Sequence, residues 1–329
     1  MMSGTAAKLT ATDRIFVAGH RGLAGQAMCR ALRLAGFENL ITRTHDDLEL
    51  RDRDATAAVF DRERPDAVIL CAARVGGIKA NATRPVDFLA ENLEIQGNVI
   101  GCAHDYDVQR LVFLGSSCIY PRDCVQPMPE AALLSGPLEA TNRPYAIAKI
   151  AGIELCWAYN RQFGRRYLAL MPTNLFGPGD NYDLEGSHVL PALIRRMHEA
   201  RQRGAPNITL WGTGAPLREF LYSDDLADAA LHVMQLPERV LTTLFNDDHP
   251  PLLNVGFGAE ITIRDLATRI AAIVGYSGEI RWDSSQPDGT PRKLLDSTRI
   301  RALDWAPRMS LDDGIRAAYA DFQSAGTRL

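Results

Sequence analysis

The sequence predicts an α/β fold in which a doubly wound parallel sheet is joined by a smaller C-terminal domain. Two observations predict the sheet. Short apolar runs rich in β-branched residues alternate with segments of helical spacing, and a glycine-rich turn follows the first run. Runs without polar alternation are typical of strands covered on both faces. A chain of 329 residues is long enough for one large domain or two moderate ones.

Apolar runs and helical spacing place the elements along the first half of the chain. Strands are predicted at 14–18, 40–42, 66–71, 110–114 and 167–171, with helices at 23–35, 86–104 and 144–163. Gly36 is the expected end of the first helix. Strands that alternate with helices indicate right-handed βαβ units. Residues 1–13 are expected to be a loose leader.

Beyond residue 172 the sequence becomes rich in Gly, Pro and Asn. Residues 174–222 are predicted to be loops around one helix at 188–203. Helical spacing returns at 223–236 and 262–274.

Composition excludes several classes of protein. Hydrophobic residues make up 46% and charged residues 23%, so the chain is expected to fold rather than stay disordered. A net charge of -4 without long runs of like charge argues against a nucleic-acid coat or a polybasic membrane anchor. The six cysteines are scattered, which indicates free thiols in a reducing compartment. His and Cys lack metal-ligand spacing, so no metal is expected.

The chain is expected to be cytoplasmic. Its N-terminus lacks an apolar stretch of signal-peptide length. No apolar run approaches the roughly 20 residues that a membrane helix needs.

The glycine-rich turn, residues 19–25, has the spacing Gly-x-x-Gly-x-x-Gly between the first strand and the first helix. Gly19 allows a tight turn, Gly22 lets a pyrophosphate approach the backbone, and Gly25 permits close packing of helix and strand. The helix N-terminus adds free N–H donors. These glycines could instead serve the turn alone, but the strand–turn–helix setting favours a dinucleotide. We therefore expect a Rossmann-type domain of residues 1–175 with about 219–256, and a substrate-binding domain of about 176–218 and 257–329.

The end of the second predicted strand indicates which dinucleotide is bound. NAD-binding proteins commonly place an acid there to hold the ribose 2′-hydroxyl. Here the segment reads Thr42-Arg43-Thr44-His45, and the first acid is Asp46. Arg21 and Arg43 are cations that could face a 2′-phosphate, so NADP is expected. Both arginines could instead be solvated surface residues.

A Tyr-x-x-x-Lys pair, Tyr145 and Lys149, opens the predicted helix 144–163. The spacing places both side chains on one helix face. A nearby ammonium favours the charged form of a phenol, which makes Tyr145 a usable acid or base. The fourth strand ends in Gly115-Ser116-Ser117-Cys118, which offers a hydroxyl for a carbonyl oxygen. A surface Tyr and Lys one turn apart would have the same spacing.

With these features the chain resembles the extended short-chain dehydrogenase/reductases, and the resemblance makes Ser116, Tyr145 and Lys149 an active-site trio. Longer strings narrow the resemblance to the GDP-L-fucose synthase family and together cover residues 14–320. They are SSCIYP (116–121), PYAIAKIAG (144–152), PTNLFGP (172–178), SHVLPALIRR (187–196), WGTG (211–214), REFL (218–221) and PDGTPRK (287–293).

The resemblance implies an NADPH-dependent activity on GDP-4-keto-6-deoxy-D-mannose: epimerisation at C3 and C5, then reduction of the C4 ketone to give GDP-L-fucose. Cys118 and His188 would be the acid/base pair of epimerisation. On position alone Cys118 could be a small buried hydrophobe and His188 a helix cap. A homodimer with a four-helix interface is also implied.

The resemblance also implies which residues bind ligands. Substrate contacts would come from Arg196, Trp211, Arg218, Asp288 and Lys293, although these could form ordinary surface ion pairs. NADP(H) contacts would come from Gly19, His20, Arg21, Gly22, Leu23, Gly25, Arg43, His45, Leu114, Gly115, Ser116, Ser117, Tyr145, Lys149, Pro172, Thr173, Asn174, Leu175 and His188. His45 stands where the family commonly has a second arginine, which weakens the expected grip on the 2′-phosphate.

Other activities on this scaffold are alternatives. A GDP-colitose synthase also uses a Cys/His pair. A 4,6-dehydratase would carry an acidic pair after the active-site hydroxyl, where Ser117-Cys118-Ile119 has no carboxylate. A simple 4-epimerase needs no acid/base pair for C3 and C5. A non-enzymatic NADP sensor would lack the Tyr or the Lys.

Overall fold

The computed structural model describes residues 8–184, 186–245, 247–286 and 288–326. Its largest sheet is built from β1 (Ile15–Ala18), β2 (Leu40–Ile41), β3 (Ala67–Leu70), β4 (Arg110–Leu114), β5 (Arg166–Pro172) and a late strand, β9 (Leu252–Val255). The order is β2-β1-β3-β4-β5-β9, and all neighbours are parallel. The predicted α/β class and parallel sheet are confirmed.

Helices cover both faces of this sheet, and each face has its own apolar core. The helices of this part are α1 (Leu23–Leu34), α2 (Arg53–Glu63), α3 (Ile78–Thr83), α4 (Pro85–Asp105), α5 (Arg143–Phe163), α7 (Ser223–Gln235) and α8 (Glu238–Leu244). One face packs α1 and α7, and the other packs α4 and α5. Burial of β1, β3 and β4 on both sides explains why these strands are apolar throughout.

A second cluster of elements packs around its own core. Its strands are β6 (Asn174–Phe176), β7 (Asn207–Trp211), β8 (Leu217–Tyr222), β10 (Glu260–Thr262), β11 (Glu279–Asp283) and β12 (Arg292–Lys293). Its helices are α6 (Val189–Gln202), α9 (Ile263–Val274) and α11 (Leu311–Gly326); the short α10 (Thr298–Arg301) lies against β9. Strand β8 pairs with β6, β10 and β12, and β7 pairs with β11.

Several sequence predictions match the observed elements. The predicted 110–114 strand coincides with β4, and the other four strands agree within one residue at each end. The helices predicted at 144–163, 188–203, 223–236 and 262–274 agree with α5, α6, α7 and α9 within one residue. Among the described residues, no helix is both long and apolar enough to cross a membrane.

Two predictions about chain segments are wrong. Residues 174–222 are not loops around one helix, because they also form β6, β7 and β8. The predicted leader is ordered from residue 8 onward, since Leu9 is buried in the core and Thr10 accepts from the backbone of Asp13. Residues 1–7 of that segment lie outside the described residues. The division of the chain into two domains stays a prediction.

Candidate active site

The carboxyl ends of β1, β3, β4 and β5 lie along one edge of the large sheet. The glycine turn follows β1, the Gly115-Ser116 segment follows β4, and β5 continues through Thr173 into β6. Parallel strands therefore collect three sequence-distant motifs at one place.

The glycine turn has no room for side chains at two of its three glycines. Gly19 has a φ of +85°, and a Cβ there would lie 2.5 Å from the Ala72 nitrogen. A Cβ on Gly25 would lie 2.1 Å from the Gly19 oxygen. At Gly22 the nearest atom would be 3.6 Å away, and no side chain caps α1 at this end. The turn thus leaves the α1 N-terminus open to an anion.

Cationic and imidazole groups lie beside this turn. His20 lies close to the backbone of Arg43 at the end of β2, and its buried Nδ1 has no hydrogen-bond partner among the described residues. Burial, and then the charge of Arg21, lower the pKa of His20 below 6.5. Arg43 forms an ion pair with Glu63 and donates to the Thr42 oxygen over 2.7 Å. Arg21 is exposed.

His45 lies at the outer end of this region. Its side chain is 79% exposed, and Nε2 is 3.7 Å from a carboxylate oxygen of Glu49. The imidazole is thus mostly solvated and does not join the packed part of the turn.

Tyr145 and Lys149 lie on the first turns of α5 beside the end of β4. Lys149 is 3% exposed, and its Nζ donates to the Leu114 oxygen over 2.8 Å. The ammonium lies 5.8 Å from the Tyr145 ring centroid. Burial lowers the pKa of Lys149 from 10.5 to about 8. Burial raises the pKa of Tyr145 above 10, the Cys118 thiol raises it further, and a hydrogen bond with Ser116 acts in the opposite direction.

Cys118 completes this cluster from a short 3-10 helix, Ser117–Ile119. Its thiol is buried, with 7% of the residue exposed. Burial raises the pKa of the thiol, while a hydrogen bond with Ser116 and the charges of Lys293 and Lys149 oppose the rise. The structure therefore brings Ser116, Cys118, Tyr145 and Lys149 together.

Two cations from the second sheet face this cluster. Lys293 in β12 is the register partner of Arg218 in β8. Burial lowers the pKa of each, and Arg218 lowers that of Lys293 further. No salt bridge joins either cation to a carboxylate within the described residues, although the charges of Asp288 and Glu139 oppose the lowering at Arg218 and Lys293 respectively. Lys293 also lines a pocket with Cys118 and Ser117. Two desolvated, adjacent cations form a site that favours an anion.

Trp211 and Asp288 lie at the rim of the second sheet. Trp211 is 68% exposed. Asp288 accepts from the Thr213 nitrogen and from its hydroxyl, both over 2.7 Å. Asp288 therefore holds the turn that follows Trp211. Pro287, which belongs to the same predicted string, lies outside the described residues.

His188 and Arg196 are not hydrogen-bonded to the cluster. His188 precedes α6, is exposed, and does not cap the helix with its side chain. Neighbouring protein atoms still lower the pKa of its imidazole by desolvation. Arg196 is half-buried on α6, while its neighbour Arg195 is engaged with Glu199 over 2.8 Å.

Residues after β5 use their side chains for structure. Thr173 and Asn174 both donate to the backbone oxygen of Glu219, over 3.1 and 2.8 Å. Leu175 packs against the core, and Pro172 belongs to β5 itself. At Gly115 a Cβ would lie 2.0 Å from Met171 Cε.

Sequence reasoning missed two residues that place Lys293. Glu219 is fully buried and accepts from the backbone nitrogens of Gly258 and Leu295, over 2.7 and 3.0 Å. Gln126 accepts from the Leu294 nitrogen over 2.9 Å. Glu219 could have been noticed in the sequence, because it is a carboxylate next to the apolar residues Phe220 and Leu221. No feature of the sequence indicates the role of Gln126, because its hydrogen-bond partner is 168 residues away.

Comparisons with known proteins identify relatives of this chain. The NAD dependent epimerase/dehydratase family model matches residues 15–247. The chain is 52% identical to GDP-L-fucose synthase of Escherichia coli over 94% of this chain and 96% of that protein. It is 51% identical to GDP-L-fucose synthase 1 of Arabidopsis thaliana, over 93% of this chain and 92% of that one. Identity to GDP-L-colitose synthase of Yersinia pseudotuberculosis is 34%, over 92% and 95%.

Solved structures show the same fold. A GDP-6-OMe-4-keto-L-xylo-heptose reductase from C. jejuni aligns with a TM-score of 0.90 and 34% identity, over 97% of this chain and 100% of that one. A GDP-L-fucose synthetase from Naegleria fowleri, bound to NADP, aligns with a TM-score of 0.85 and 29% identity, over 99% and 97%. The chain therefore belongs to the NAD dependent epimerase/dehydratase family and, within it, to the GDP-L-fucose synthases.

Proposed function

We propose that this chain converts GDP-4-keto-6-deoxy-D-mannose to GDP-L-fucose with NADPH as reductant. One observation carries the proposal: the Cys118 nitrogen donates to Ser116 Oγ over 3.5 Å, and the Cys118 thiol lies close enough to Tyr145 and Lys149 for their charges to affect one another. A carbonyl oxygen bound by Ser116 and Tyr145 would hold the neighbouring carbon atoms near the thiol. A single binding mode of the substrate would therefore serve both proton exchange beside the ketone and reduction of the ketone.

Epimerisation requires a proton to leave C3 or C5 and another to arrive on the opposite face. Cys118 and His188 would serve as this acid/base pair, since a thiol can donate a proton and a neutral imidazole can accept one. Ser116 and Tyr145 would donate hydrogen bonds to the C4 oxygen, which stabilises the enolate. The charges of Lys293 and Lys149 favour the thiolate of Cys118 against the cost of burial.

Reduction requires a proton donor at the C4 oxygen. Tyr145 would donate this proton, and its raised pKa keeps the phenol protonated until the alkoxide forms. NADPH supplies the hydride when it is bound. Lys149, anchored on the Leu114 oxygen, would hold the nicotinamide ribose and stabilise the tyrosinate that remains.

The turn at residues 19–25 would hold the NADP(H) pyrophosphate at the α1 N-terminus. Arg21 and Arg43 would pair with the 2′-phosphate, and His45 would contribute weakly from its exposed position. The backbones of Leu114–Ser117 and Pro172–Leu175 would line the nicotinamide half. These residues fit the cofactor, because the turn has open space at Gly22 where a Cβ would meet only the Gly19 oxygen.

Arg218 and Lys293 would bind the GDP diphosphate, because they are adjacent, desolvated and free of carboxylate partners in the described chain. Arg196 would add a third cation. Trp211 would stack on the guanine or a sugar ring from its exposed position, and Asp288 would fix the turn beside it.

Two further predictions concern assembly and location. A homodimer through α4 and α5 is supported by exposed apolar side chains on these two packed helices, Val86, Leu93, Ile147 and Phe163. Location in the cytoplasm stays a prediction.

The purified protein should oxidise NADPH when it receives GDP-4-keto-6-deoxy-D-mannose, and should release GDP-L-fucose. Cys118→Ser should be strongly slowed. Cys124→Ser is the matched control, since Cys124 is a half-buried thiol on the same segment and should turn over normally. Equal activity with NADH would contradict the proposed 2′-phosphate contacts. Absence of turnover with either cofactor would overturn the proposal and make a colitose-type keto-sugar the next substrate to test.

A further inference from the structure

His188 is carried by the loop between β6 and α6, residues 177–188. Its imidazole makes no hydrogen bond within the described chain and does not cap α6. Its place is therefore set by backbone contacts. The Ser187 nitrogen donates to the Asp183 oxygen over 2.9 Å, and the His188 oxygen accepts from the Ala192 nitrogen over 3.1 Å. The loop and the first turn of α6 therefore set together where the imidazole lies.

The loop is held together internally by its own polar side chains. The Asp183 nitrogen donates to Asn181 Oδ1 over 2.9 Å, and the Gly186 nitrogen donates to Asp183 Oδ2 over 2.9 Å. With the Ser187 bond, these contacts tie Asn181, Asp183, Gly186 and Ser187 to one another. A displacement at Tyr182 is consequently passed along to His188.

Two tethers attach this loop to α11, the last helix of the structure. The Tyr182 hydroxyl donates to the Ala318 oxygen over 2.9 Å, and the Tyr182 ring lies 4.7 Å from the Phe322 ring. The Gly179 nitrogen donates to Asp321 Oδ2 over 2.8 Å. Both tethers are side-chain contacts between segments more than a hundred residues apart in sequence.

The other side of the loop contacts the glycine-turn region. A Cβ on Gly179 would lie 2.6 Å from Gln26 Oε1, so the backbone is packed against that side chain. Gln26 in turn donates to the Arg21 oxygen over 2.8 Å. The loop is thus held by α1, by α11 and, through the bond from Arg195 to the Tyr182 oxygen, by α6, and His188 lies where the loop joins α6.

We propose that Tyr182 and Asp321 are positioning residues for His188, and that α11 fixes the proton-transfer loop of the epimerisation half-reaction. The inference rests on the proposed function. Loss of a tether would let the imidazole drift from the substrate carbons, and displacements of about 1 Å can cost a hundredfold in rate. The Tyr145–Lys149 pair stands on α5 and makes no contact with these tethers, so hydride transfer should be affected far less.

The test uses Asp321→Ala and Tyr182→Phe in the full-length enzyme. Solvent deuterium uptake at C3 and C5 is measured without NADPH, and product stereochemistry is measured with NADPH. Both variants should exchange protons on the order of tenfold more slowly than wild type. The share of product that keeps its original configuration at C3 or C5 should rise, while the NADPH dissociation constant stays unchanged.

Matched controls separate positioning from stability. Asp321→Asn keeps an acceptor for the Gly179 nitrogen and should restore exchange. Asp312→Ala removes an exposed ion pair with Arg269 at the other end of α11 and should exchange normally. A general loss of folded enzyme lowers all products equally, so an unchanged product ratio and exchange rate in Asp321→Ala and Tyr182→Phe would overturn the inference. If wild-type enzyme makes no product, the proposed function itself fails.

Discussion

Lys149 is the residue whose environment most directly predicts a pH effect. Burial lowers its pKa to about 8, so the ammonium dominates below that pH and the neutral amine above it. Tyr145 keeps its proton throughout, because its own pKa is raised. The single-turnover rate of NADPH oxidation should therefore fall as pH rises through about 8. A rate that stays flat well above pH 8 would contradict the assigned role.

The lowered pKa of Lys149 also affects folding stability, which should change with pH in the opposite direction to the reduction rate. A lysine whose folded pKa is below its unfolded value of 10.5 binds protons more readily in the unfolded chain. Its contribution to stability therefore increases from pH 8 toward 10.5, whereas its contribution to hydride transfer decreases.

Lys149→Met removes the charge and should lower the reduction rate by about a hundredfold or more. Thermal unfolding at pH 7 distinguishes that loss from misfolding.

The turn between β1 and α1 gives a prediction at the scale of an element. Gly22 has extended backbone angles and open space, so Gly22→Ala should fold normally but weaken NADPH binding by about tenfold, where the methyl meets the pyrophosphate. Gly25→Ala places a Cβ 2.1 Å from the Gly19 oxygen and should destabilise the fold by about 1–3 kcal/mol.

Thermal melting and NADPH fluorescence titration of the two variants form one paired experiment. If Gly22→Ala binds NADPH as tightly as wild type, the pyrophosphate does not lie at this turn. If it melts as early as Gly25→Ala, the turn does not tolerate a methyl group at position 22.

Across the whole molecule, elements that rest on local apolar patterns were predictable. β4 is buried at every position, and α5 ends at Gly164 with a φ of +67°, so both have clear sequence signals. β7 has one buried residue in five, and α2 has only three buried residues, so neither has a strong apolar period. The sequence pattern did not predict β7 or α2, because contacts with distant segments stabilise them: β7 pairs with β11, and α2 packs on α4. The spacing of apolar residues carries no information about such contacts.

The same contrast applies to the candidate site. Ser116, Cys118, Tyr145 and Lys149 lie in linear motifs on two neighbouring elements, so a resemblance could find them. Glu219 and Asp321 act through backbone nitrogens far away in the chain. Such contacts depend on how the second sheet and α11 pack, and single-sequence reasoning has no access to that arrangement.

The central claim is that one pocket performs proton exchange through Cys118 and reduction through Tyr145. The most direct measurement follows deuterium uptake at C3 and C5 in deuterated water, alongside NADPH oxidation, for Tyr145→Phe and Cys118→Ser. Tyr145→Phe should lose reduction by about a hundredfold or more yet retain exchange within about tenfold of wild type. Cys118→Ser should lose exchange. Parallel loss of both reactions in Tyr145→Phe, or full exchange in Cys118→Ser, would contradict the account.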